Sequence, residues 1–139
     1  MSTRLKEKEE KILAVLETLS EASAKGTLIV VEGKKDVEAL QALGAIGKIL
    51  TVKTGGKSFL NVVSEIGKLD VPEVILLLDF DRRGREGTKR LKYSLERTKI
   101  KPNVKFWREL STLVRKDIQC IESLTAYLKT LRKKVNSQK

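Results

Sequence analysis

The chain has 139 residues, with 29 Lys and Arg against 18 Asp and Glu, a formal charge of +11, no histidine and one cysteine. Its length predicts one domain burying roughly 70% of its unfolded surface, and 40% hydrophobic with 34% charged residues excludes a disordered chain. No apolar run approaches the ~18 residues of a membrane span, histidine is excluded as base or ligand, and lone Cys120 excludes an internal disulfide and a cysteine-histidine zinc site.

Leu5, Ile12, Leu13, Leu16 and Leu19 recur at helical spacing, so residues 1–25 read as an amphipathic helix ending at Gly26. The first residues lack the apolar stretch of a signal peptide, which predicts a cytoplasmic protein. Thr27 to Val31 is a β-branched apolar run suited to a strand buried on both faces of a parallel sheet. Asp36 reads as the N-cap of a helix carrying Val37, Leu40 and Leu43 and stopping near Gly44. A second strand, Ile49 to Val52, leads into Thr54-Gly55-Gly56. A helix from about Lys57 to Lys68 follows, with Phe59, Val62, Val63 and Ile66 inward.

After Pro72, Val74 to Leu78 forms the strongest strand and runs straight into Asp79-Phe80-Asp81. A basic helix is predicted from about Glu86 to Thr98, a fourth strand over Val104 to Trp107, and a last helix from near Asp117. That helix carries Ile118, Ile121, Leu124, Leu128, Leu131 and Val135 on one stripe, ahead of a polar tail with Lys133, Lys134 and Lys139. The two terminal apolar stripes suit packing on the sheet or a dimer seam, so monomer and dimer both stand. Cys120, Phe106 and Trp107 read as apolar packing residues. Alternating strands and helices give an α/β fold, a Rossmann-like open parallel sheet of about four strands flanked by helices.

Charge is divided unevenly along this order. Residues 1–25 carry five basic and five acidic groups, residues 26–81 six and eight, and residues 82–139 eighteen and five. A surplus confined to the last part suggests a polyanionic partner, nucleic acid before membrane because aromatics are only 4%. A solvated, lysine-rich surface is the plain alternative.

Ligands of open α/β sheets bind outside the carboxyl ends of the strands. Glu32 follows the first strand directly, and Asp79 and Asp81 follow the third. Each acid alone suits a helix cap. Together they suit Mg²⁺, which takes hard oxygen ligands, keeps several waters and commonly uses one or two carboxylates with a substrate phosphate. Lys34 and Lys35 beside Glu32 suit either phosphate contact or simple offset of the acidic cluster, Arg82, Arg83 and Arg85 after Asp81 are candidate phosphate contacts, and the helix residues Lys89, Arg90, Lys92 and Arg97 either extend that track or form a solvated face. Gly55 and Gly56 open a helix and suit either a phosphate cradle or a tight turn. They do not make a Walker A loop, since Thr51 stands where its first glycine belongs.

The run Leu-Ile-Val-Val-Glu-Gly-Lys-Lys-Asp (28–36) with Ile-Leu-Leu-Leu-Asp-Phe-Asp-Arg-Arg-Gly (75–84) resembles the Toprim domain of topoisomerases, primases, OLD-type nucleases and a ribosomal-RNA maturase. It is most similar to the small stand-alone Toprim proteins of archaea. The resemblance covers about residues 26–125, leaving 126–139 as a helix end and basic tail; Thr54-Gly55-Gly56 matches the family's glycine turn, and residues 116–124 resemble the acidic closing segment of primase-like members. It implies one or two Mg²⁺ ions, or Mn²⁺ in their place, on Glu32, Asp79 and Asp81, with Glu32 as general acid or base at a phosphodiester. Only Tyr93 and Tyr127 could serve as a strand-passage nucleophile, both inside the domain's helices, and the primases' extra modules do not fit. The expected function is therefore nuclease or RNA-processing chemistry on RNA or DNA, against an alternative of binding without turnover.

Overall fold

The computed structural model describes residues 2–52 and 59–137. Four parallel strands form one sheet: β1 (Leu28–Val31), β2 (Ile49–Thr51), β3 (Glu73–Leu77) and β4 (Lys101–Asn103), in the order β2-β1-β3-β4. Among the described residues six helices flank the sheet: α1 (Ser2–Ala24), α2 (Lys34–Ala42), α3 (Phe59–Lys68), α4 (Arg82–Arg97), α5 (Lys105–Val114) and α6 (Leu124–Ser137), with a 3₁₀ turn over Ile121–Ser123. The chain moves from β1 outward to β2, then returns past β1 to β3. This reversal places the topological switch between β1 and β3, where an open sheet leaves a crevice at its carboxyl edge.

The strands' two-residue period sorts the core into two layers. Ile29, Val31, Ile75 and Leu77 pack with Ile12, Leu16 and Leu19 of α1, Leu40 of α2, Phe106 and Leu110 of α5, and Leu131 of α6. Leu28, Val30, Val74, Leu76 and Leu78 pack with Val62 and Ile66 of α3 and Leu91 and Leu95 of α4. The central strands are apolar throughout because helices cover both faces. Ile12, Leu16 and Leu19 of the N-terminal apolar stripe are thus core of this chain, Leu5 is partly buried against it, and Leu13 faces solvent. Among the described residues no helix is long and apolar enough to cross a membrane.

Four sequence expectations are corrected here. Asp36 is not the N-cap of α2: Gly33 holds that position, and Asp36 sits one turn in, its carboxylate accepting the Gly33 N–H at 3.0 Å. The basic helix starts at Arg82 rather than Glu86, because Asp81 caps it, Oδ1 accepting the Gly84 N–H at 2.8 Å. Val104 to Trp107 is not a strand. The fourth strand is Lys101–Asn103, and Phe106, Leu110 and Val114 recur every fourth residue as the buried stripe of α5, started by Asn103 Oδ1 accepting the Lys105 N–H. Lastly, the final helix does not begin near Asp117. That residue follows the end of α5, and Ile121 belongs to the 3₁₀ turn, although Ile121, Leu124, Leu131 and Val135 are all buried.

Asp117 instead ties the chain's ends together. Its Oδ2 accepts bonds from the Lys8 ammonium at 3.1 Å and the Tyr127 hydroxyl at 2.9 Å, which hold its carboxyl below the usual range. A pair this exposed contributes less than about 1 kcal/mol. Because the folded value is lowered, that contribution is present above the unfolded carboxyl's range and lost in acid.

Candidate metal and nucleic-acid site

Parallel register brings the two acidic segments together. Val31 pairs with Leu77, so the chain leaves β1 at Glu32 beside the point where β3 runs on to Asp79. The Asp79 N–H donates to Glu32 Oε2 at 3.3 Å, a bond joining the switch-point strands across the crevice. Beyond β3 the alternation breaks. Leu78 still faces the α3 and α4 layer, whereas Phe80 turns to the α1 and α5 layer. Trp107 follows it, its indole N–H donating to the Leu78 carbonyl at 2.9 Å and its ring 6.2 Å from that of Phe80.

Glu32, Gly33, Lys34, Lys35, Asp36, Asp79, Cys120 and Glu122 line a cleft of about 270 Å³. Grooves of about 480 and 530 Å³ run along α1, but neither brings two carboxylates together. The far wall comes from the segment after α5, fastened at two points. The Phe80 N–H donates to the Gln119 carbonyl at 2.7 Å, and Asp36 Oδ1 accepts the Glu122 N–H at 2.8 Å. Asp36 therefore uses one oxygen on the turn at Gly33 and the other on the closing segment. Burial pushes its carboxyl up, the two N–H bonds oppose that shift, and the charges of Glu122 and Glu32 add to it.

Of the predicted carboxylates, Glu32 and Asp79 share the cleft and Asp81 stands at the head of α4 as its cap. Among the described residues no three histidine, cysteine, aspartate or glutamate side chains gather to hold a metal ion. The donor chemistry still fits Mg²⁺, since two hard carboxylates leave its remaining positions to water and substrate oxygens. Exposed Lys34 and Lys35 sit at the cleft edge in the first turn of α2. Arg82, Arg83 and Arg85 occupy the first turn of α4, Arg82 paired with Glu86 at 3.1 Å and Arg85 donating to the Phe80 carbonyl at 3.2 Å. The turn at Thr54, Gly55 and Gly56, the side chain of Phe59, and Lys139 lie outside the described residues.

Cys120 departs from its reading as a buried apolar residue. It is half-buried on the cleft wall, its thiol 3.2 Å from the Ser123 hydroxyl. Burial raises its pKa, hydrogen bonds with Ser123 oppose the rise, and the charges of Asp79 and Glu122 add to it. Sequence reasoning also gave no site role to Asp36. A signal was present: glycine at a helix start with an acid three residues on is the spacing of a carboxylate reaching back to a cap N–H.

This geometry has relatives. Residues 27–108 match the family described as the Toprim domain. A UPF0292 protein of Methanocaldococcus jannaschii is 40% identical, over 86% of this chain and 91% of that one. A UPF0292 protein of Methanosarcina acetivorans is 37% identical, over 90% and 85%. A solved structure of a protein from Aquifex aeolicus aligns with a TM-score of 0.66 and 26% identity, covering 79% of this chain and 94% of that one. With more than half its length matched and the strand-terminal acids at the switch point, the chain belongs to the Toprim domain family.

Proposed function

We infer that this protein is a Mg²⁺-dependent nucleic-acid-binding protein that acts on phosphodiester bonds of RNA or DNA, of the nuclease or RNA-processing type. The observation that carries this reading is the pairing of Glu32 and Asp79 across the switch point, with lysines at the cleft edge and the basic helix α4 leading away. Glu32 and Asp79, with Asp81 behind them, are the residues that would hold the ion. Bound there, Mg²⁺ supplies Lewis-acid stabilisation of charge on phosphate oxygens.

The chain's own groups do the rest. Glu32 is oriented by the Asp79 N–H at one oxygen and is the group to take or give a proton at the phosphodiester. Lys34 and Lys35 draw the backbone phosphates to the cleft, and Arg82, Arg83 and Arg85 fix the strand beyond it. Gln119 and Asp36 hold the far wall at a set distance from β3. One observation favours the second reading, binding without turnover: Asp81 already uses one oxygen as a helix cap.

Cleavage of structured RNA and of single-stranded DNA in Mg²⁺ or Mn²⁺ separates the two. The expected result is metal-dependent cleavage that Asp79→Asn reduces at least about 100-fold, the size of effect one transition-state contact supplies. Cleavage unaffected by Asp79→Asn contradicts the site. Tight binding without cleavage of any substrate, in wild type and variant alike, establishes the second reading.

A further inference from the structure

Helix α4 carries Arg82, Arg83, Arg85, Lys89, Arg90, Lys92 and Arg97 against Glu86 and Glu96, and it buries Gly84, Gly87, Thr88, Leu91 and Leu95 on the sheet. At 100° per residue, the point of the helix directly opposite that buried stripe falls at Arg82 and Tyr93. Tyr93 is 61% exposed, a degree that among the large apolar or aromatic side chains of the described residues only Ile46 exceeds. No core contact explains a ring in that position. A cation lies against it: the Arg97 guanidinium is 5.6 Å from the ring centroid and donates to the hydroxyl at 3.3 Å. Lys89 precedes it by one turn on the same exposed face.

An exposed ring among cations, with nothing apolar to cover it, suits a ligand that carries both a flat π-face and a line of negative charge. A single nucleic-acid strand offers both: bases stack on aromatic side chains while phosphates meet the surrounding cations. Duplex bases are already stacked on one another and cannot use the ring. Eleven residues of helix rise separate Tyr93 from Arg82, roughly 17 Å, so such a strand would run from the cleft along α4.

We propose that the outward face of α4 is a single-strand binding track in which Tyr93, with Arg97 against it, forms a stacking platform for a base, and Lys89 takes an adjacent phosphate. It rests on the nucleic-acid reading above and adds to it a preference for unpaired strands and a site for a base outside the cleft. The bare alternative is an intrahelical Tyr93–Arg97 pair that supports α4 and binds nothing.

Fluorescence anisotropy of the whole protein with a labelled oligothymidylate of about 12 nucleotides, in EDTA so that no cleft ion takes part, tests the track. The expected result is binding that Tyr93→Ala weakens about 10-fold and Tyr93→Phe changes less than about twofold. The slope of log affinity against log salt stays the same for both, because no charge is lost. Lys89→Gln lowers that slope by about 0.7. A blunt duplex of the same length shows no dependence on Tyr93, and the thermal melt of Tyr93→Ala matches wild type. Single-strand binding unchanged in Tyr93→Ala overturns the platform while leaving the carboxylate cleft untouched. Equal losses in Tyr93→Ala and Tyr93→Phe, or an equal loss on duplex, also overturn it. Failure of the wild type to bind any nucleic acid, with or without Mg²⁺, overturns both this track and the proposed function.

Discussion

Phe80→Ala lowers the free energy of unfolding by about 3–5 kcal/mol, the usual cost of deleting a fully buried aromatic ring. Phe80 is 1% exposed and lies in the layer that also buries Ile12, Leu77, Phe106 and Leu110. Its ring packs against Trp107, which in turn holds the Leu78 carbonyl. Its backbone N–H reaches the Gln119 carbonyl, and its own carbonyl accepts from Arg85. The residue between the two aspartates therefore anchors the motif to the core, the closing segment and α4 at once. A domain of this kind has about 5–15 kcal/mol to lose, so the variant retains a folded state with a much lower urea midpoint. Phe80→Leu refills most of the volume and recovers more than half of the loss. A midpoint unchanged in Phe80→Ala contradicts the packing described.

Gly84→Ala has the second large effect, and its cause is backbone contact rather than backbone freedom. A Cβ at Gly84 would overlap the Asp79 carbonyl oxygen and lie 2.5 Å from its carbonyl carbon and 2.8 Å from its Cα. Neither partner can rotate away, since the Gly84 N–H is the one that Asp81 caps and the Gly84 carbonyl accepts from the Thr88 hydroxyl at 2.7 Å. The first turn of α4 or the Asp79 backbone must shift. The expected cost is roughly 3 kcal/mol, the upper end for added volume in a packed site, and the proposed metal site is displaced with the Asp79 backbone. Gly67→Ala is the control. That residue lies in α3 with nothing within 4 Å of the added carbon, so the change gains up to about 1 kcal/mol from helix propensity. Equal midpoints for the two variants contradict the close approach of α4 to β3.

These two residues show what the sequence displays and what it hides. The strand ends were legible because continuous apolar runs at Leu28 and Val74 stop abruptly at acids, a pattern that burial on both faces requires. The spacing from Asp79 to Gly84 was visible, but its reason lies in a contact between α4 and the end of β3 that no local pattern encodes. α5 was misread because Val104 to Trp107 is short and rich in β-formers, and its helical period appears only once Leu110 and Val114 are counted. Cys120, Glu122 and Asp36 were hidden for another reason. Tertiary bonds of the closing segment bring them to the cleft, Phe80 to Gln119 and Asp36 to Glu122, the latter spanning 86 residues. Asp81 shows the two competing readings of an acid after a strand, since it caps α4 and stands next to the cleft motif in the same short segment.

The claim at the centre of this account is that Glu32 and Asp79 form one divalent-cation site. Titration of the folded protein with Mn²⁺, following the free ion by electron paramagnetic resonance, measures it without any assumption about substrate. The account predicts a bound Mn²⁺ that excess Mg²⁺ displaces and that Glu32→Gln and Asp79→Asn each weaken at least about 10-fold while melting as wild type does. Wild-type protein that leaves all Mn²⁺ free, or variants that bind it as tightly as wild type, would contradict the account.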